Sequence, residues 1–304
     1  MDKKLLIIGL VAVVALAVVG CAAKQQPAAE EPEETTETEE KNEVLAGKDE
    51  ETGIRYISFG HGPKTMVIVP GLSTAYVTDN AQAVAGSFAA FADDYTIYLF
   101  DVREEVPEGY TINDMSDDMV KVINKLGLEH LYLYGCSMGG METMYVAGTY
   151  PQLVEKAVVV STACEANETL TAVIGKWVNL AKEGKLTEMT SDMGQKIYSA
   201  SVYEANKEAF VAMADGLKGN MLSRFINSGT AVLNMDMADT AAKIECPLLI
   251  IGAKGDQVVS GAASERIAEI TGGELITYSE EYPHAIYDEV PEVKEKAKAF
   301  FDAE

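Results

Sequence analysis

Gly135-Cys136-Ser137-Met138-Gly139-Gly140 follows an apolar run, Leu131-Tyr132-Leu133-Tyr134, and opens a stretch of helical spacing that ends near Tyr150-Pro151. The order is strand, abrupt turn, helix. A chain that leaves a strand and enters a helix almost at once holds the apex residue in a strained backbone conformation. The neighbours two positions away must then be small, and here they are Gly135 and Gly139. The strain pushes the Ser137 hydroxyl out above the sheet. The helix behind it aims its first free N–H groups at whatever that hydroxyl attacks. A glycine-rich turn with a capping serine can be written in the same six letters, so the flanking chain has to decide between the two.

Strand and helix signals alternate on both sides of this turn. Ile54 to Phe59 alternates like a strand, and Thr65 to Val69 is a continuous apolar run suited to a strand buried on both faces. Asn80 to Ala92 has a helical pattern, and Tyr95 to Phe100 is a further strand. Thr111, with Asp114 three residues on, reads as the N-cap of a helix that runs to about Leu126. Ala157 to Ser161, Pro247 to Ile251 and Glu274 to Tyr278 read as strands; Ser260 to Ile270 and Glu289 to Phe301 read as helices. Such alternation predicts an α/β fold with a mostly parallel central sheet flanked by helices. Between residues 164 and 243 no strand signal is found. Leu170, Val173, Ile174, Trp177, Val178 and Ala181 share one helical face, which predicts an inserted helical cap over the C-terminal edge of the sheet. The core is then 52–163 together with 244–304.

Over residues 54–301 the chain resembles the α/β-hydrolase superfamily. Gly-x-Ser-x-Gly between a strand and a helix is that family's nucleophile elbow, and its triad follows in the order Ser, Asp or Glu, His. Ile250-Ile251-Gly252-Ala253-Lys254-Gly255-Asp256 is similar to the acid loop, which implies Asp256 as the triad acid. Tyr282-Pro283-His284-Ala285, after the last strand and before the last helix, implies His284 as the base. The residues support this in part by themselves. Of the three histidines, only His284 lies at the carboxyl end of an expected strand, the edge at which open parallel sheets bind ligands. Glu165, just after the preceding strand, is the alternative acid. The resemblance implies an oxyanion hole from the backbone N–H groups of Met138 and Leu72. Pro70-Gly71 stands where many relatives have His-Gly, a departure that removes no donor. Asp101 and Arg103 resemble a structural turn of the family, and Asp288 suits a helix start.

The amino terminus has a separate character. Met1-Asp2-Lys3-Lys4 precedes an uncharged run from Leu5 to Gly20, as in a secretory signal peptide, and the run is short for a spanning helix. Val18-Val19-Gly20-Cys21 resembles the bacterial lipobox, which implies that Cys21 is lipidated and that residues 1–20 are removed. An uncleaved N-terminal anchor is the competing reading. Both place the rest of the chain outside the cytoplasm, at a membrane. Residues 21–51 are poor in large apolar side chains. Eleven acidic residues against Lys41 and Lys48 between Glu30 and Glu51 predict a disordered, self-repelling linker.

Composition narrows the function. The net charge of −24 lacks the basic footprint that nucleic-acid binding requires. Cys136, Cys164 and Cys246 remain after Cys21. An odd number implies no disulfide framework, although a single Cys164–Cys246 pair stays open. No Cys/His spacing resembles a zinc site, so no metal and no cofactor are expected. The resemblance implies a membrane-tethered serine hydrolase that cleaves carboxylic esters or related small-molecule acyl compounds through an acyl-enzyme on Ser137. Amide, peptide and thioester cleavage use the same constellation. A surface binding protein that keeps the fold without catalysis is the competing class; it has no need of three triad members.

Overall fold

A computed structural model describes residues 43–303. The expected signal peptide, Cys21 and the linker up to residue 42 lie outside the described residues.

Apolar runs without alternation need cover on both faces, and they occupy the middle of the sheet. In chain order the strands are β1 (Leu45–Lys48), β2 (Arg55–Phe59), β3 (Lys64–Val69), β4 (Tyr95–Phe100), β5 (Leu131–Cys136), β6 (Val154–Val160), β7 (Leu248–Ala253) and β8 (Glu274–Tyr278). They form one eight-stranded sheet in the order β1-β2-β4-β3-β5-β6-β7-β8. Every pair from β4 to β8 is parallel, while β1 and β2 are antiparallel to their neighbours. All six residues of β7 are buried, and so are the last four of β3, β5 and β6. The sheet therefore has a dry centre, with Ser137 leaving its middle strand.

Helices α1 (Ala81–Ser87), α2 (Ile112–Lys125) and α3 (Met138–Thr149) fall in the first half of the chain. The α2 start is a full capping box: the Thr111 hydroxyl accepts from the Asp114 N–H, and the Asp114 carboxylate accepts from the Thr111 N–H. The expected helix over 80–92 is shorter than its pattern. It stops at Ser87, where Phe88 leaves helical geometry and a 3-10 turn over Ala89–Phe91 follows; both phenylalanines reach the core.

Five helices lie between β6 and β7: α4 (Glu168–Lys182), α5 (Leu186–Ile197), α6 (Ala200–Gly216), α7 (Asn220–Leu233) and α8 (Ala238–Ala241). An isolated antiparallel bridge, Glu165–Asp236, joins the two ends of this insertion. Trp177, buried in α4, donates its indole N–H to Asp192 of α5 at 2.8 Å, so the ring packs without leaving its polar atom unpaired. The chain closes with α9 (Ala263–Thr271), α10 (Ile286–Glu289) and α11 (Pro291–Asp302).

The linker expected to run to residue 51 ends earlier. Strand β1 lies inside it, paired residue by residue with β2 from Leu45–Ser58 to Lys48–Arg55. Two of the acids there pair with a cation distant in sequence. Lys125 of α2 holds Asp49 at 2.8 Å and Glu51 at 2.6 Å, and Lys48 pairs with Glu104 at 2.9 Å. Charge density along the chain marks this stretch as solvated; the cation that pairs with two of its acids comes from an element it meets only after folding.

Candidate active site

Glycine at 135 and 139 is a steric requirement. A Cβ on Gly139 would lie 2.0 Å from the Val69 carbonyl oxygen, and one on Gly135 would lie 2.3 Å from the Gly139 carbonyl oxygen. Strand β3, strand β5 and the first turn of α3 thus meet backbone to backbone. Between the glycines Ser137 adopts φ 52° and ψ −122°, a region that L-residues avoid. Two bonds over-determine it. Its N–H donates to the Val160 carbonyl at 3.0 Å, and its carbonyl accepts from the Thr162 hydroxyl at 2.7 Å. Thr162 carries no motif signal and was invisible in the sequence. Its one trace is Gly140, whose Cβ would stand 2.6 Å from the Thr162 side chain.

Asp256 follows β7. Its Oδ1 accepts from the Val258 N–H at 2.8 Å and the Val259 N–H at 3.0 Å, a tight turn in which the carboxylate replaces a carbonyl. Its Oδ2 lies 2.7 Å from His284 Nδ1. Burial by itself would raise the Asp256 carboxyl. The facing imidazole and the two N–H groups outweigh that and hold it below the ordinary carboxylate range. An ionised Asp256 accepts from Nδ1–H, which leaves the His284 Nε2 lone pair free as a base. His284 is buried, with its ring edge-on to Tyr287 at 5.9 Å between centroids. The following N–H, on Ala285, donates to the Ile197 carbonyl of α5, so the cap ties down the histidine loop.

The remaining candidates separate cleanly. Glu165 is not the partner of His284; its carboxylate accepts from Arg266 at 2.8 Å on a half-exposed surface. His61 and His130 face Asp93 and Glu155 at the surface. Asp101 is structural: its carboxylate caps the N–H groups of Val77 and Thr78, both at 3.0 Å. Asp288 lies in the first turn of α10, where its carboxylate accepts from the Tyr198 hydroxyl at 3.4 Å. Leu72 and Met138 are buried at the loop after β3 and at the first position of α3, elements that touch at Val69 and Gly139. Cys136, Cys164 and Cys246 are unpaired, which closes the Cys164–Cys246 option. Among the described residues no group of three or more His, Cys, Asp or Glu could hold a metal ion.

Two clefts of small-molecule size border the cap, and neither is lined by Ser137, Asp256 or His284. One, of about 510 Å³, opens between the cap and the loops that carry Asp256 and His284, with Gln257, Pro283, Lys196 and Tyr203 on its walls. The other, of about 480 Å³, lies between the loop after β3 and helix α6, lined by Tyr76, Ala212 and Met213 among others.

Residues 77–290, a stretch that contains Ser137, Asp256 and His284, match the family described as serine aminopeptidase, S33. The chain belongs to this hydrolase family. The hydrolase is 24% identical over 238 residues to 2-(acetamidomethylene)succinate hydrolase of Mesorhizobium japonicum, covering 75% of this chain and 86% of that one. It is 21% identical over 228 residues to 3-oxoadipate enol-lactonase 2 of Acinetobacter baylyi, covering 72% and 82%. In structure it is similar to MGS-M2, an α/β-hydrolase enzyme from a Medee basin deep-sea metagenome library, with a TM-score of 0.76 at 20% identity over 86% of this chain and 98% of that one. Fold and relatives agree on an enzyme of the α/β-hydrolase type.

Proposed function

We propose that this hydrolase cleaves carboxylic esters and related acyl bonds of small molecules through an acyl-enzyme on Ser137. The observation that carries the reading is the buried 2.7 Å contact between Asp256 and His284, set on the same sheet edge as a strained serine. In the reaction, Ser137 Oγ attacks the carbonyl carbon while His284 Nε2 takes its proton. The carbonyl oxygen, now negative, is met by the N–H groups of Leu72 and Met138. His284 returns the proton to the leaving group as the tetrahedral adduct collapses. A water molecule, deprotonated by the same nitrogen, then releases the acid and restores the serine. Asp256 holds the imidazole tautomer and stabilises the imidazolium in both halves.

Two relatives support small-molecule acyl substrates by name, one a lactone and one an acetamido compound. The test is a fluorophosphonate probe on the purified protein. An adduct mapped to Ser137, with loss of short p-nitrophenyl ester hydrolysis in Ser137→Ala, supports the reading. A folded protein that forms no adduct favours a binding protein on a hydrolase fold. The description of the family as a serine aminopeptidase favours one further arm, amide cleavage at a free amino terminus, read with aminoacyl p-nitroanilides.

We also propose that the enzyme is held at the extracytoplasmic face of a bacterial membrane by lipidated Cys21, on the strength of Val18-Val19-Gly20-Cys21. Cys21→Ala should release the protein or stall its precursor. Tight attachment of an unprocessed Cys21→Ala chain would favour an uncleaved anchor.

A further inference from the structure

The loop from Gly71 to Tyr76 carries the Leu72 N–H but has no strand or regular helix of its own until Val77. Something else must hold it, because an oxyanion donor displaced by a fraction of an ångström loses much of its effect. From the core, Asp101 fixes only the far end, at Val77 and Thr78. Within the loop, the Ser73 hydroxyl donates to the Ala75 carbonyl at 2.8 Å.

The Tyr76 ring also lies under the guanidinium of Arg55 on β2, at 4.0 Å to the ring centre, and further support comes from one helix of the cap. Arg224 of α7 is 4% exposed, an unusual degree of burial for a guanidinium. Its Nη1 donates to the Ala75 carbonyl and its Nη2 to the Val102 carbonyl, both at 3.4 Å. Nη2 also stands 3.6 Å from Asp101 Oδ1. The guanidinium lies 4.5 Å from the centre of the Tyr76 ring, a cation–π distance. One turn further along α7, a Cβ on Gly229 would stand 3.7 Å from Leu72 Cδ2, so the Leu72 side chain rests on the same helix. Both Leu72 and the Ala75–Tyr76 end of the loop therefore bear on α7. The charge of Arg224 also reaches Glu142, a buried carboxyl on the nucleophile helix α3.

We propose that Arg224 is a positioning residue, through which the cap sets the oxyanion loop relative to Ser137. This rests on the acyl-enzyme reading above. Arginine suits the task because its planar fork spans two carbonyls and a carboxylate together, which a lysine ammonium on a flexible stem does not. The cap then acts on the rate of reaction as well as on access to the site.

The experiment compares wild type, Arg224→Lys and Arg224→Met, each as the full chain with its melting temperature measured. Three quantities are read: kcat and KM for a short p-nitrophenyl ester, the inhibition constant of an alkyl boronic acid that mimics the tetrahedral adduct, and the rate of fluorophosphonate labelling. Arg224→Met is expected to lower kcat by about 10- to 100-fold with KM within about twofold, and to weaken boronate inhibition by the same factor as kcat. Arg224→Lys, which keeps a charge opposite Asp101 and hence the fold, should fall between the two. A residue that merely secures the cap would lower the melting temperature and leave these ratios in place. A folded Arg224→Lys with wild-type kcat, labelling rate and boronate affinity overturns the proposal, even if Arg224→Met does not fold. If wild type itself forms no adduct on Ser137, the acyl-enzyme reading fails; if wild type labels and Arg224→Lys labels equally fast, only the role of Arg224 fails.

Discussion

His284 Nδ1 and Asp256 Oδ2 stand 2.7 Å apart with side chains only 1% and 2% exposed, though 28 residues of chain separate them. The pair is excluded from water, so its hydrogen bond is not exchanged with solvent and its orientation persists. Each member has a second tether: the Val258 and Val259 N–H groups for the acid, and the Ile197 carbonyl for the residue after the base. A carboxylate held this way belongs to a site that needs one tautomer of one imidazole.

Asp256→Asn should leave the shape of the pair intact but favour the wrong imidazole tautomer. Ester hydrolysis is expected to fall by about 10³- to 10⁴-fold, read as kcat on a folded variant. Stability should change as well. The folded value of the Asp256 carboxyl lies below its unfolded one, so the carboxyl contributes stability above the unfolded value, about 3.9, and that contribution is lost as pH falls through the folded value. The difference in melting temperature between wild type and Asp256→Asn should therefore shrink on acidification below about pH 4.

Glu142 lies at the opposite extreme. It is buried on α3 with Oε1 unpartnered, and burial, opposed by the Arg224 charge, pushes its carboxyl up to about 8. A folded value above the unfolded one means that its contribution is fully present at acid pH and is lost as pH rises towards about 8. Glu142→Gln should differ little from wild type near pH 4, gain on it as pH rises from about 4.3 towards 8, and keep a constant advantage on the order of a few kcal/mol beyond that. Melting curves across pH would check it; parallel curves would rule it out.

Gly139→Ala places a methyl group 2.0 Å from a backbone oxygen of β3, where no flexible side chain can yield. The strand or the helix must shift, at a cost of about 1–3 kcal/mol or more. Denaturant unfolding should show that loss, and activity should fall further than stability, since the shift moves the loop that carries Leu72.

Glu165→Gln distinguishes the two acids weighed from the sequence. Its partner is the half-exposed Arg266, a kind of pair worth about 1 kcal/mol or less. Hydrolysis should stay within about twofold of wild type. A loss comparable to that of Asp256→Asn would return Glu165 to the site.

Features written in local chemistry were legible in the sequence. The parallel sheet followed from uninterrupted apolar runs such as Leu248–Ile251, because a strand covered on both faces has no polar side to alternate with. The elbow followed from Gly135, Ser137 and Gly139, because only glycine tolerates backbone at 2 Å from its Cβ direction. Other features depend on partners far along the chain. The acids at Asp49 and Glu51 read as solvated until Lys125 met them, and β1 read as linker until β2 offered its edge.

The sequence by itself determined the order of the strands from β2 onward and the strained serine, since each rests on side-chain size, periodicity or spacing within a few residues, and the family resemblance supplied the candidates for acid and base. Only the tertiary structure decided which acid faces His284, that Thr162 braces the elbow, and that a cap arginine reaches Ala75 across 149 positions of chain. Those contacts join elements whose approach is set by burial of the whole core, and no local pattern encodes the angle at which they meet.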